Sequence, residues 1–112
     1  MSAGLDALLF ALSDPTRRAV VGLLGRSPRR SSEIAAALRA SRPAMSRHLR
    51  VLRRAGLVEE SSIDEDARGR LYRLRPKRLA DVRAWLDEME GFWTGQLGAF
   101  KAHAESRGRK GP

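Results

Sequence analysis

The stretch that decides the fold is Ser41 to Leu57, S-R-P-A-M-S-R-H-L-R-V-L-R-R-A-G-L. It reads as one capped amphipathic helix. The Ser41 hydroxyl is suited to accept a first-turn backbone N–H, Pro43 tolerates the donor-free first turn, and Gly56 offers a left-handed stop. At about 100° per residue, Met45, His48, Leu49, Val51, Leu52 and Ala55 fall on one arc. Arg42, Ser46, Arg47, Arg50, Arg53 and Arg54 fall on the other. A solvated helix face ordinarily mixes Glu with Lys so that i,i+4 pairs form, and this face carries no acid at all. Its chemistry is that of a surface for a polyanion.

The charge distribution supports the same direction. The chain of 112 residues carries a net charge of +9, a field that favours DNA, RNA or an anionic membrane surface. Residues 15 to 56 hold eleven Arg against the single Glu33, whereas residues 76 to 105 hold four bases against five acids. The first half is built to bind and the second is built for something else. The length suits one domain, here residues 1–105, followed by the basic tail S-R-G-R-K-G-P over 106–112, which is expected to be disordered. Hydrophobic content of 42% is enough for a core.

Working outward from the central helix, Ser31 or Ser32 can cap a short preceding helix, with Glu33 in its first turn and Ile34, Ala35 and Leu38 facing inward. Arg39 and Ala40 are then all that separates the two helices. Two short helices joined by a tight turn, the second presenting small or donor-rich side chains from its N-terminal half, is helix-turn-helix spacing. Arg39 stands where such turns often use Gly, so strain of about 1 kcal/mol or a slightly different turn is expected there. Further upstream, Leu5, Leu8, Leu9 and Leu12 recur at helical spacing. Ser13-Asp14-Pro15 then ends that helix and starts another, which runs to about Leu24 and is expected to bury Ala19, Val20, Leu23 and Leu24 before a stop at Gly25. Arg26 to Arg30 reads as a loop.

Downstream, Leu57-Val58 and Leu71 to Leu74 are strand-like, with the polar tip Asp64 to Gly69 between them. This predicts a two-stranded wing whose Arg68 and Arg70 could reach a minor groove or phosphates. The acids Asp64, Glu65 and Asp66 lack calcium-loop spacing and would oppose phosphate. From Pro76 to about Ala104 a single helical pattern carries an apolar stripe of Leu79, Val82, Leu86, Met89, Trp93, Leu97 and Phe100, broadened by Trp85 and Phe92. Such a helix is longer than so small a domain can cover. Aromatic residues and Met are enriched at interface cores, so the stripe predicts homodimerisation, together with the Leu5, Leu8 and Leu9 edge of the first helix. The expected fold is therefore mainly α with a small β-hairpin wing, a winged helix-turn-helix dimerised through its N- and C-terminal helices.

Several functions lack their chemistry. With no cysteine, disulfides, thiolate metal sites and thiol redox sensing are excluded. The two histidines, His48 and His103, lie on separate elements without readable partners, and no phosphate loop or H-E-x-x-H occurs, so no enzyme and no cofactor are expected. No apolar run approaches the roughly 20 residues of a membrane span, and the start lacks a signal-peptide pattern, so no membrane partner and a cytoplasmic location are expected.

The pieces L-S-D-P-T-R-R at 12–18, E-I-A-A-A-L at 33–38, S-R-P-A-M-S-R-H-L-R-V-L at 41–52, A-G-L-V at 55–58 and R-G-R-L-Y-R-L at 68–74 resemble the ArsR/SmtB family of bacterial winged-helix repressors. The likeness covers roughly residues 5 to 104. It implies a homodimer that binds an inverted-repeat operator in double-stranded DNA, usually represses its own operon, and lets go when a signal arrives. Metal-sensing relatives carry a C-x-C pair at positions that align with Arg30 and Ser32, and others place Asp and His ligands along the last helix. Here those positions lack thiolates and that helix has only His103, so the chain resembles a non-metal branch. On this reading Arg42, Pro43, Ala44, Ser46, Arg47 and His48 lie at or beside the major groove, and Arg50 and Arg54 hold phosphates. Two rivals remain: a non-specific nucleic-acid or nucleoid protein, which would discriminate little between sequences, and an antitoxin-like module whose long helix grips another chain. The residues name no inducer.

Overall fold

The computed structural model describes the backbone of residues 2–61 and 70–109. Its order is α1 (Ser2–Ala11), α2 (Pro15–Leu24), β1 (Arg29–Arg30), α3 (Ser31–Ala37), α4 (Arg42–Arg54), β2 (Val58–Ser61), β3 (Leu71–Leu74), a 3-10 turn (Pro76–Arg78) and α5 (Leu79–Arg109). The chain divides into two compact units, one through Val82 and one from Arg83. Within the first unit, helices α1 to α4 pack with a three-stranded antiparallel sheet of order β1-β3-β2. This is a winged helix-turn-helix.

Local chemistry explains most element boundaries. Asp14 caps α2 by accepting the backbone N–H groups of Thr16 at 2.8 Å and Arg17 at 3.0 Å, and Pro15 opens the helix without wasting a donor. Ser41 caps α4 through the Ala44 N–H at 3.2 Å. At the other end of α4, Gly56 is left-handed at φ 78, and the Leu57 N–H reaches back to the Leu52 carbonyl at 3.0 Å, as a Schellman closure requires. A Cβ at Gly56 would lie 3.0 Å from Nε of the exposed Arg78 side chain, which can give way, so it is φ that calls for glycine. The α3–α4 turn uses the same device with a less suitable residue. Arg39 has φ 53, and the Ala40 N–H closes onto the Ala35 carbonyl at 2.9 Å.

The core gathers one face from each of the first four helices. Leu8, Val20, Ile34, Met45, Leu49, Leu52 and Leu57 are fully buried, each such side chain contributing about 1.5–3 kcal/mol. Tyr72 from β3 closes the sheet side.

Three expectations are corrected. Arg29–Arg30 is not loop but a strand, paired with β3 as Arg29↔Tyr72 and Arg30↔Leu71. Because that pairing holds Arg30 extended, α3 begins directly at Ser31, and Glu33 accepts the Arg30 backbone N–H at 3.1 Å where a serine cap was expected. Gly25 ends α2 as expected, with φ −64. On α2, Ala19 is exposed and Arg17 takes its place in the interior.

In the second unit α5 is a continuous helix that runs to Arg109, into the stretch expected to be a tail. Its apolar side chains are open to solvent: Leu86, Met89, Phe92, Trp93, Leu97 and Phe100 range from 36% to 73% exposed. The Phe92 and Trp93 rings meet edge to face at 6.0 Å.

Candidate nucleic-acid interface

Helix α4 is held by one face and free on the other. Met45, Leu49 and Leu52 anchor it in the core, while Arg42, Pro43, Ser46, Arg47, Arg50, Arg53 and Arg54 are exposed and Ala44 and His48 are half-buried at the margin. Core packing fixes the helix's rotation, so the row of guanidinium groups is aimed outward with no freedom to turn inward. Among the described residues Arg42, Arg47, Arg50 and Arg54 have no ion-pair partner. Arg50, Arg53 and Arg54 line an open hollow of about 350 Å³ at the C-terminal end of the helix.

Two arginines of the basic surface are committed elsewhere. Glu60 on β2 pairs with Arg53 at 2.6 Å and with Arg70, and it accepts the Tyr72 hydroxyl at 3.2 Å. Burial, followed by the negative charge of Glu60 and that hydrogen bond, holds the Tyr72 phenol above its usual value near 10, so it remains a donor. This cluster ties the end of α4 to both long strands of the wing. It also engages the exposed Arg70, one carboxylate being shared between two guanidinium groups. Arg68 and the tip Asp64 to Gly69 lie outside the described residues.

Sequence reasoning missed the residue beneath this face. Arg17 is only 8% exposed. Its Nε donates to the Ala11 carbonyl at 2.8 Å, one terminal nitrogen donates to the Phe10 carbonyl at 3.2 Å, and the other lies 3.3 Å from His48 Nδ1. The guanidinium also stands 5.2 Å from the centre of the Phe10 ring, within cation–π range. A signal was available: position 17 lies three residues before Val20 and seven before Leu24, on their face of α2. Beside it, the backbone N–H groups that cap α2, that of Arg17 foremost, hold the Asp14 carboxyl below its usual 3.8.

The residues expected at a dimer surface are distributed differently from one another. Leu8 is wholly buried in the core of its own chain and leaves no surface for a partner, and Leu5 and Leu9 are half-buried. Leu79 and Val82 pack against that same core. Leu86, Met89, Trp93, Leu97 and Phe100 are the exposed ones. Among the described residues no group of three or more His, Asp or Glu side chains is placed to hold a metal ion, and no helix is long and apolar enough to cross a membrane.

A short bracing helix, a tight turn, an arginine-faced helix and a strand pair define a helix-turn-helix protein of the winged class. A family model described as a helix-turn-helix domain matches residues 12–61. The chain is 42% identical over 103 residues to the HTH-type transcriptional regulator Rv2034 of Mycobacterium tuberculosis, covering 92% of this chain and 91% of that protein. It is 40% identical over 81 residues to the HTH-type transcriptional repressor SmtB of the same organism, covering 70% of this chain and 58% of that one. Among solved structures, the ArsR-like transcriptional regulator from Rhodococcus sp. RHA1 superposes with a TM-score of 0.82 at 35% identity, covering 93% of each chain. The chain belongs to the ArsR/SmtB family of winged helix-turn-helix transcriptional regulators.

Proposed function

We propose that the protein is a sequence-specific DNA-binding repressor that acts as a homodimer on an inverted-repeat operator and represses its own operon. One observation carries this reading: α4 presents Arg42, Arg47, Arg50 and Arg54, exposed and without ion-pair partners among the described residues, from a helix whose other face is locked into the core. Arg42, Pro43, Ala44, Ser46 and Arg47, with His48 at the edge, face the bases. Arg50 and Arg54 bind phosphates. Arg68 remains a wing candidate, whereas Arg70 serves the wing's attachment through Glu60. The apolar face of α5, led by Met89, Trp93 and Phe100, seats the second copy, because apolar side chains exposed in a row favour an interface over water.

On this reading the protein falls in a non-metal branch: it has no cysteine thiolate, and among the described residues no group of three or more His, Asp or Glu is placed to hold a metal ion. Zinc, cadmium or arsenite should therefore leave a DNA-binding titration unchanged, and a sub-micromolar metal response would contradict the assignment. The decisive experiment passes a random duplex library over the purified protein and sequences what is retained. An enriched inverted repeat is expected. Recovery of the library without enrichment would replace sequence-specific repression with non-specific binding.

A further inference from the structure

The Arg17 guanidinium joins three elements. It donates to the Phe10 and Ala11 carbonyls at the end of α1, it is carried by α2, and its third contact is His48 on α4. The Phe10 carbonyl also accepts the Ser13 N–H at 3.1 Å and the Ser13 hydroxyl at 2.6 Å, and carbonyl groups at a helix C-terminus carry partial negative charge, so a cation is well placed there. With two of its nitrogens so engaged and the Phe10 ring beside it, the guanidinium has little freedom to move.

Chemistry fixes the sense of the remaining contact. A guanidinium has donors and no acceptor, so His48 Nδ1 at 3.3 Å must accept. An imidazole that accepts at Nδ1 is neutral and carries its hydrogen on Nε2. His48 is half-buried, with the inner nitrogen used by Arg17 and the ring located beside Arg47 at the margin of the arginine face.

We propose that Arg17 is a positioning residue for DNA recognition, one that holds the His48 ring as a neutral Nε2–H donor to an acceptor on DNA and ties its placement to the end of α1. The proposal rests on the DNA-binding reading above. Arg17 itself touches no DNA and acts through His48. A displacement of α1 moves the carbonyls that hold the guanidinium, and the guanidinium moves the ring.

The test has an arm without DNA and an arm with it. Long-range 1H–15N correlations of the imidazoles are recorded on the free full-length protein, with His103 as internal reference, for wild type, Arg17→Lys and Arg17→Gln. Thermal unfolding confirms that each variant folds. In wild type His48 should show an unprotonated, hydrogen-bonded Nδ1, and both variants should lose that signature while His103 is unchanged. Affinity is then measured on a duplex selected from the random library. Arg17→Lys should weaken it roughly a hundredfold, about tenfold for the charge-assisted hydrogen bond lost in each half of the dimer, and should cost almost nothing further when His48→Ala is already present. A protonated Nδ1 in wild type, a signature unmoved by both variants, or the same loss in the His48→Ala background overturns the proposal. If no duplex is selected, the DNA reading fails and this role with it, and the imidazole signature distinguishes that result from absence of the Arg17–His48 contact.

Discussion

Arg47 and Arg54 sit on the same exposed face of α4, yet their replacement by alanine should have different consequences. Both are free of ion pairs among the described residues, so neither loss is complicated by an orphaned carboxylate. Arg47 lies in the N-terminal half of α4, which on the proposed docking enters the groove first. A bidentate arginine–guanine contact is worth about 1–3 kcal/mol of discrimination, and a dimer makes two, so Arg47→Ala should cost about 2–6 kcal/mol on the operator. At about 1.4 kcal/mol per tenfold, that is a loss from roughly thirtyfold to above ten-thousandfold, with little change on scrambled DNA. On the proposed docking, Arg54 lies where the helix would leave the groove. Its replacement removes two phosphate contacts per dimer and about 1.8 from the salt slope. Between 50 and 200 mM salt the wild-type advantage should therefore shrink by about twelvefold, equally on both duplexes. Arg53→Ala is the internal control: Arg53 is held at 2.6 Å by Glu60, which also pairs with Arg70, so the slope should change less. Fluorescence anisotropy on operator and scrambled duplexes at several salt concentrations measures all three. Equal losses on both duplexes for Arg47→Ala would remove it from the base-reading face.

Charging the α5 stripe with Met89→Asp and Trp93→Asp together should convert a micromolar dimer to monomer in sedimentation velocity, since both side chains are exposed and apolar; an unchanged dimer would show that the stripe is not the interface. Arg39→Gly should raise stability by up to about 1 kcal/mol in urea unfolding, because glycine relieves the cost of φ 53, and a destabilised variant would mean that the Arg39 side chain makes a larger contribution than its backbone costs. The lowered Asp14 carboxyl stabilises the fold above its unfolded value of about 3.8, and that contribution is lost as pH falls through the lower folded value. Asp14→Asn keeps a capping oxygen that does not titrate at this pH, so its melting temperature should fall less than wild type between pH 5 and pH 2; identical acid profiles would refute the linkage.

The amino-acid sequence by itself determined the elements that depend on neighbours a few residues away. The caps at Asp14 and Ser41, the left-handed stop at Gly56, the strained turn at Arg39 and the two faces of α4 are all settled by interactions within about a turn of helix. Those features were enough to place the arginine face and the winged helix-turn-helix around it. Tertiary structure decided what requires a partner far along the chain. Arg29–Arg30 is a strand only because β3, more than forty residues later, supplies its hydrogen bonds. Arg70 looks like a free wing cation until the sheet places Glu60 against it, and Leu8 looks like an interface leucine until α1 packs into its own core. Arg17 is the sharpest case. An arginine has a charge that favours water and a long stem that tolerates burial. Only a folded chain that brings two helix-end carbonyls, an aromatic ring and an imidazole to one point could make the interior the better place for it.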